Sequence, residues 1–511
     1  GAGKDTIGKM LALKTGLGFL STDEFIEISE SRSISDIFRI KGEDYFRRKE
    51  TSVLKAIQRL PNLIIATGGG MVMLEKNRRI IKKMGTIIHL DAGMSVLLVR
   101  TRIDRQRPLT KNRKYLKKLF RRRRGLYDFC DYRIDTENRT PTEIAKILMK
   151  KINLKSCRGR SNIQRYIIKI DRKKYPVLIG NNILAPALRT VLESKKIAII
   201  SNPLVSSLYR SKLVKALKKK HSDIHEFILP DGEKYKNVNS ALKTYNYLLK
   251  NAFDRSDMII ALGGGVISDL AGFAASTYKR GIKYVIIPTT LMGQVDAAIG
   301  GKTGIDMMVK NSIGTFYQPD LVIIDIDFIK TLSRQHFIGG LAEVVKYGAI
   351  RDSALFLLLE EKIDLIKKRD PEILKEIITR CIEIKSKVVA RDEREQTGHR
   401  LILNFGHTIG HAIECLSQYN IDHGAAVAIG MVLEAGIANK LGFLTGHEQQ
   451  RLKDLISNFG LPVQLPQNIK STGINECIRQ DKKQRNSRIQ LPLLIGIGKI
   501  KIREVKWEKL S

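Results

Sequence analysis

Twice in this chain an apolar run empties into three glycines: LIIATGGG (Leu63 to Gly70) and MIIALGGGVISDLAGFAAS (Met258 to Ser276). Short apolar runs of this kind, closed by a glycine turn, read as buried strands. Strands buried on both faces belong to sheets covered by helices, and open sheets of that class gather ligands at the carboxyl ends of their strands. The pattern predicts α/β architecture and places one candidate anion site in each half. At 511 residues the chain is too long for one ordinary core, and with 43% hydrophobic residues it can bury more than one.

Nowhere do 18 apolar residues run together, and the N-terminus carries no apolar stretch with a cleavage site, so a cytoplasmic enzyme with no membrane partner is expected. The five cysteines (Cys130, Cys157, Cys381, Cys415, Cys477) are far apart with no CxxC pair, which argues against a disulfide framework and against a thiolate zinc site. The net charge of +38 is spread along the chain, its densest run being Arg121 to Arg124. Without an RNP-like or zinc-finger pattern it reads as a solvated basic surface, with no specific nucleic-acid partner.

The chain opens on GAGKDT, the last two thirds of a GxxxxGK[ST] phosphate loop, with a helix predicted over 7–15. Glycines let backbone N–H groups close on phosphate oxygens, and Lys4 would reach the outer phosphates. GTIIHLD (Gly85 to Asp91) reads as a strand and SVLLVRTRI (Ser95 to Ile103) as a helix. Downstream, STDEFIE supplies Asp23, GEDYFRRKE paired arginines, and RQRPL and RRRRGLY further cations. That is an inventory for phosphoryl transfer: a cradle, a carboxylate for an acceptor hydroxyl, and guanidinium groups against developing charge.

The ordered set GAGK, TDEFIE, RSISDIF, GEDYFRR, ATGGG, RPL and RGLY resembles shikimate kinase, whose P-loop fold has a central parallel sheet. The resemblance implies ATP contacts from Gly1, Ala2, Gly3, Lys4, Asp5 and Thr6, with Arg107 in a lid over the phosphates. It implies shikimate contacts from Asp23, Arg47, Gly68, Gly69, Gly70 and Arg123. Asp5 stands where the family has a magnesium-binding Ser or Thr, and Ser21 where it usually has a further Asp. A carboxylate about 4 Å from a phosphate charge costs on the order of 4 kcal/mol at an effective dielectric of 20, unless a cation intervenes. Because magnesium prefers carboxylate oxygen, an exchange of positions is expected, with Asp5 turned to the ion. Gly1 is no natural initiator and the strand before the loop is missing, so the sequence reads as a fragment of a longer chain.

LKSCRGRSNIQRY is polar and aperiodic, a linker over 154–164. RYIIKI and YPVLIG then alternate like paired strands, KIAIISN reads as a buried strand, and YVIIPTTLMGQVDAAIGGKTG crowds PTT, Asp296 and Lys302 at the end of another. The run into Gly263–Gly265 and a helix suits a dinucleotide pyrophosphate, although it is not GxGxxG. From Asp327 to about residue 460 long amphipathic helices follow. GGLAEVVKYG sets Glu343 and Lys346 on one helical face, NFGHTIGHAIE sets His407 and His411 on another, and IDHGAAVAIGM adds His423. A carboxylate with histidines is a catalytic zinc inventory, and helical spacing alone pairs His407 with His411.

DGEKYK, LGGGV, DLAGFAA, YKRG, PTTL, QVDAAIGGKTG, LAEVVKYG, LNFGHTIGHAIE, HG and DKK, in that order, closely resemble dehydroquinate synthase from about residue 165 to the end. The resemblance implies Glu343, His407 and His423 as ligands of Zn2+ or Co2+, with His411 left beside the substrate. It implies NAD contacts from Glu233, Lys236, Gly264, Gly265, Asp269, Thr289, Thr290, Lys310 and Thr331. Around the substrate it places Asp296, Arg280, Lys302, Lys310, Asn311, Lys346, Lys385, Arg400, Asn404 and Lys482, and it implies a homodimer through this segment, with Arg400 reaching in from a partner subunit.

Four departures stand out. Ala425 replaces the glutamate of a family HGE, the stretch from Lys302 to Asn311 is one residue short, Ser333, Gln335 and His336 replace a Pro-x-Arg-Glu run, and Gln396 is an apparent insertion before Arg400. The organisation expected is a kinase-like domain over 1–153, the linker, an α/β NAD domain over 165–328 and an all-helical metal domain over 329–511. The function expected is a bifunctional shikimate-pathway enzyme using NAD, zinc and Mg2+–ATP. The alternatives are a structural kinase-like module on an active synthase, another sugar-phosphate cyclase, or a polyol dehydrogenase.

Overall fold

The computed structural model describes residues 3–15, 17–94, 96, 125–137, 139–154, 163–170, 173–188, 194–218, 221, 223–307, 310–467, 469–481 and 488–506. The chain separates into two compact units, residues 1–160 with 201–215 and 228–231, and residues 161–200, 216–227 and 232–511.

In the first unit, helix α1 (Lys4–Thr15) leads into strand β1 (Gly18–Ser21), α2 (Thr22–Glu30) and α3 (Ile34–Ile57), and then β2 (Leu63–Ala66). β1 and β2 pair in parallel, Gly18 opposite Leu63, so the ends carrying Ser21 and Ala66 lie side by side. β3 (Ile88–Asp91) and β4 (Tyr132–Asp135) form a second parallel pair, followed by α4 (Pro141–Lys151). α1 starts at Lys4, three residues before the predicted start. Gly3 takes φ +84°, a left-handed conformation that glycine adopts freely, and its carbonyl accepts the Ile7 N–H at 2.9 Å. Two apolar clusters hold the unit. Leu20, Phe25, Ile26, Ile37, Phe46, Val53 and Ile57 tie α2 and α3 to β1, while Ile7, Leu11, Ile134, Ile144, Ala145 and Leu148 tie α1 to α4 and β4. The helix predicted over 95–103 falls almost wholly outside the described residues.

The second unit is built on a seven-stranded sheet of β5 (Gln164–Ile170), β6 (Lys173–Gly180), β7 (Lys196–Ser201), β8 (Asp223–Ile228), β9 (Met258–Gly263), β10 (Lys283–Pro288) and β13 (Leu321–Asp325). Their spatial order is β5-β6-β13-β10-β9-β7-β8. β5 is antiparallel to β6, as the alternation predicted, whereas β6, β13, β10 and β9 run parallel. β9 and β10 are neighbours in register, with Gly263 opposite Pro288, so the glycine turn after one and the Thr289–Thr290 pair after the other emerge together. A hairpin of β11 (Lys302–Ile305) and β12 (Ile313–Phe316) follows.

The helices after β13 pack around Glu343. α5 (Gly265–Thr277) belongs to the sheet layer, and the helical layer comprises α6 (Arg334–Arg351), α7 (Pro371–Arg391), α8 (His407–Leu416) and α9 (His423–Lys440), among others. Ser333 caps α6, its hydroxyl accepting from the His336 N–H, so this departure from the family run keeps the helix start intact. Gly424 of α9 lies so close to the Gly339 backbone of α6 that a side chain there would collide with it. Gly430 stands in the same relation to Gly406 at the head of α8, so three helices approach at backbone distance. Among the described residues after 329, the strands are β14 (Arg488–Leu494) and β15 (Ile500–Lys506), paired antiparallel, so this region is not all-helical. RIQLPLL alternates in burial over its first four residues and is buried throughout its last four, the pattern of a strand that passes from a half-exposed to a covered position.

Candidate active sites

In the second unit, the glycine turn comes first. Gly264 caps α5, and the Thr289 N–H donates to the Gly263 carbonyl at 2.9 Å, locking the two strand ends together. Thr290 Oγ1 accepts from the Gly293 N–H at 3.0 Å, while the buried Thr289 Oγ1 finds no partner among the described residues. An orphaned hydroxyl beside a bare helix N-terminus fits an anionic cofactor.

From that turn a line of alternating charge runs to the helical layer. Asp269 on α5 holds Lys236 at 2.6 Å, and Lys236 also donates to the Asn311 side chain. Glu233 lies 3.8 Å from both Lys236 and Lys310. Lys310 reaches Glu414 of α8 at 3.1 Å, and Glu414 Oε2 lies 3.3 Å from Nδ1 of His423. His423 Nε2 then faces Glu343 Oε1 at 3.5 Å, and His407 Nε2 faces the same oxygen at 3.2 Å. Glu343 also pairs with Lys346, one turn on.

Glu343, His407 and His423 fit a divalent ion. Two metal bonds of about 2.1 Å at a tetrahedral angle set their donor atoms about 3.4 Å apart, close to the 3.2 and 3.5 Å found here. Each histidine has its other nitrogen against an acceptor, His407 Nδ1 3.2 Å from the Phe405 carbonyl and His423 Nδ1 against Glu414. Both rings thereby turn Nε2 inward, the arrangement of a prepared metal ligand. Burial pushes the Glu343 carboxyl up, but Lys346 and His407 outweigh it and hold it well below the usual range. Burial alone would lower His423, yet its hydrogen bonds to Glu343 and Glu414 raise it to about 9. Helical spacing had paired His407 with His411, but His411, half exposed, falls in a second group with Glu414 and His423.

On the other side of Lys346 lies Asp296, carried on a single π turn, Gly293–Ala297. Lys385 of α7 donates to its carboxylate at 2.8 Å and to its carbonyl at 2.6 Å, Tyr347 Oη donates at 2.5 Å, and Lys346 lies 4.0 Å away. Desolvation would raise Asp296, but Lys385 and Lys346 bring it to about 2; burial lowers Lys385 to about 8 in spite of Asp296. Arg400 is buried, donating to the Glu393 carbonyl at 2.8 Å. Lys302 is exposed and joins Arg400 through Glu395. Arg280, exposed at φ +65°, and Asn404 make no hydrogen bond or ion pair with this line among the described residues. Thr331 ends a 3-10 turn, and Lys482 lies outside the described residues. Glu414, Tyr347 and Glu395 were not singled out from sequence; Glu414 was visible only as the residue seven after His407, on the same helical face.

In the first unit, Arg47 of α3 pairs with the buried Glu50 at 2.9 Å and with Glu43 at 2.6 Å. A Cβ at Gly70 would fall 2.0 Å from the Arg47 guanidinium and one at Gly68 2.4 Å from the Asp23 carboxylate, so each glycine leaves the room those side chains occupy. The Gly68 N–H donates to Thr22 Oγ1 at 2.9 Å, and Tyr127 Oη donates to the Gly69 carbonyl at 3.2 Å. Asp23, Arg47 and the Gly68–Gly70 turn therefore converge at the ends of β1 and β2. Lys4 and Asp5 occupy the first turn of α1, and Ser21 is the last residue of β1. Gly1, Ala2, Arg107 and Arg123 lie outside the described residues.

A parallel sheet with a glycine-turn anion site, beside a helical layer carrying one carboxylate and two imidazoles around a metal position, defines a class of cofactor- and metal-assisted enzymes. The chain belongs to the 3-dehydroquinate synthase family, with a shikimate kinase segment at its start. Family models described as 3-dehydroquinate synthase N-terminal and C-terminal match residues 226–339 and 340–484, and one described as shikimate kinase matches 1–153. A 3-dehydroquinate synthase of Thermodesulfovibrio yellowstonii is 45% identical over 355 residues, covering 68% of this chain and 99% of the relative. One of Syntrophotalea carbinolica is 42% identical over 348 residues, covering 67% and 96%. Among solved structures, 2-epi-5-epi-valiolone synthase of Streptomyces hygroscopicus with NAD+ and Zn2+ has TM-score 0.62 at 29% identity, covering 68% of this chain and 97% of that one. 2-Deoxy-scyllo-inosose synthase with carbaglucose-6-phosphate, NAD+ and Co2+ has TM-score 0.63 at 25% identity, covering 68% and 98%. No helix among the described residues is long and apolar enough to cross a membrane.

Proposed function

We propose that residues 165–511 convert 3-deoxy-D-arabino-heptulosonate 7-phosphate to 3-dehydroquinate and phosphate, and that residues 1–153 transfer a phosphoryl group from Mg2+-bound ATP to shikimate. The observation that carries the first reading is the Glu343, His407 and His423 set at tetrahedral donor spacing, in a chain 45% identical to a synthase along 99% of its length. A divalent ion held by these three residues supplies Lewis-acid polarisation of an alcohol oxygen, and NAD at the Gly264–Gly265 turn supplies reversible hydride acceptance. The chain's own residues do the rest. Thr289 Oγ1 and the α5 N-terminus receive the cofactor phosphates. Lys346, Lys385 and Arg400 hold the anionic groups of the substrate in a site already balanced by Asp296. With its pKa brought to about 8, Lys385 Nζ can give up and regain a proton near neutrality.

In the first unit, Arg47 holds the shikimate carboxylate, Asp23 orients the acceptor hydroxyl, and Lys4 at the α1 N-terminus meets the outer phosphates. Asp5 takes the magnesium side of the loop and Ser21 supplies the hydroxyl. The test is an assay of both reactions on the full chain. Release of phosphate from the heptulosonate phosphate without NADH accumulation is expected, and accumulation of NADH would make the second unit a dehydrogenase. Magnesium-dependent phosphorylation of shikimate is expected, and its absence would leave the first unit a structural module.

A further inference from the structure

Of the three residues placed around the metal position, His423 is the least confined. Its side chain is 26% exposed, against 14% for His407 and 1% for Glu343. His407 is oriented by a backbone carbonyl, which cannot swing away. Among the described residues, His423 has no such neighbour. Two residues after it stands Ala425, which offers no polar group. Among the described residues, the carboxylate found within 4 Å of His423 Nδ1 is that of Glu414.

We propose that Glu414 is a positioning residue for the metal site, holding the proton of His423 on Nδ1 so that the Nε2 lone pair points at the ion. The inference rests on the ligand assignment above. Glu414 is only 3% exposed, and Lys310 fixes its other oxygen at 3.1 Å, so the carboxylate is tethered at both ends. It lies on α8 seven residues after His407, two turns along the same face, and that face looks onto α9 because the helices meet at backbone distance at Gly410 and Gly430. One helix thus contributes a ligand and orients a second ligand carried by its neighbour. A carboxylate accepting from the outer nitrogen of a ligating imidazole fixes its tautomer and ring plane, and losing such a partner costs 10–100-fold in metal affinity.

The test is a chelator-competition titration of Zn2+ on the full chain, with the visible spectrum of the Co2+ form as a second readout. E414A is expected to bind Zn2+ about 10–100-fold more weakly and to change the Co2+ bands, which report ligand geometry. E414Q, whose amide oxygen still accepts from Nδ1, is expected to lose less and to keep a spectrum closer to the parent. Parent-like affinity together with a parent-like spectrum in E414A overturns the proposal. Should E414A fail to fold, the order of affinities and spectra in E414Q and E414D decides: parent-like values in both overturn it. E343A is run alongside. If it too retains Zn2+, the ligand assignment has failed; if it alone loses Zn2+, only the role of Glu414 has.

Discussion

The two candidate sites are assembled in opposite ways. In the first unit, Asp23, Arg47 and the Gly68–Gly70 turn come from within fifty residues of one another, and Arg47 is balanced by Glu43 and Glu50 on its own helix. In the second, the charges alternate through ion pairs from Asp269 to Glu343, drawn from the glycine-turn helix, the turn carrying Glu233 and Lys236, a hairpin and three further helices. A locally balanced site can lose one member and leave its neighbours paired. An alternating line anchored on the buried Lys236, Glu414 and Glu343 cannot, because removing a neighbour strands one of these charges in low dielectric. Substitutions along the second unit's line should therefore cost activity and the stability of several packed elements together, whereas in the first unit the cost falls on the one helix that carries Arg47 and its two carboxylates.

The largest effect is expected at Glu343. E343A removes a metal donor and leaves Lys346, 2% exposed, without its nearest counter-charge. Stability of the second unit should fall by about 3–5 kcal/mol, read by urea unfolding, with synthase turnover lost. Phosphorylation of shikimate should continue; a parallel loss of both activities would break the contrast. R47A is the counterpart. Its guanidinium makes charge-assisted bonds worth about 1.5–3 kcal/mol each, so the apparent KM for shikimate should rise about 10–100-fold. Synthase turnover should stay unchanged and R47K should recover part of the loss. If unfolding of the second unit moves as well, the site is not local.

A smaller, pH-dependent effect sharpens the picture. Lys385 faces Asp296, Lys346 and Arg400, and burial brings it to about 8. Its lowered pKa means that the ammonium is present below pH 8 and lost as pH rises through it. If Lys385 holds an anionic group of the substrate, the KM for the heptulosonate phosphate should climb above pH 8, and that limb should disappear in K385R. A limb unchanged in K385R would assign it to another group.

Much of this was legible in the sequence because it rests on local pattern. The strand, glycine turn and helix at 258–277 need only apolar runs and a break. The metal site was legible in composition but not in pairing. Spacing on one helix put His407 with His411, yet the glycine approach of α8 to α9 selects His423, and no period within a single helix encodes a contact between two. Asp296 was read as crowded at a strand end, but its π turn has no periodic signature. Glu50, Glu395 and Glu414 escaped notice because a glutamate's value here depends on which cation the fold delivers to it. The β14–β15 hairpin is not legible in the same way, because only the first four residues of RIQLPLL alternate in burial.

The smallest expected effect tests the local character of the first unit from the side of stability. Glu30, at the end of α2, takes Lys49 at 2.6 Å, Lys41 at 2.8 Å and Tyr45 at 2.9 Å. Desolvation would raise its carboxyl, but the hydrogen bonds from the two lysines and Tyr45 bring it from the ordinary 4.5 to about 2. A carboxylate depressed in the folded state stabilises the fold above its unfolded pKa, and the benefit drains away as pH falls from about 4.5 through 2. The lysines keep much of their solvent access, so the contribution is small and weakens with salt. In thermal unfolding from pH 6 down to pH 2, E30Q should flatten the acid limb of the first unit and leave the second unit's transition where it was. If E30Q instead lowers both transitions at neutral pH, the Glu30 cluster belongs to a cooperative unit larger than the first, and the contrast between the two regions fails at its weaker end.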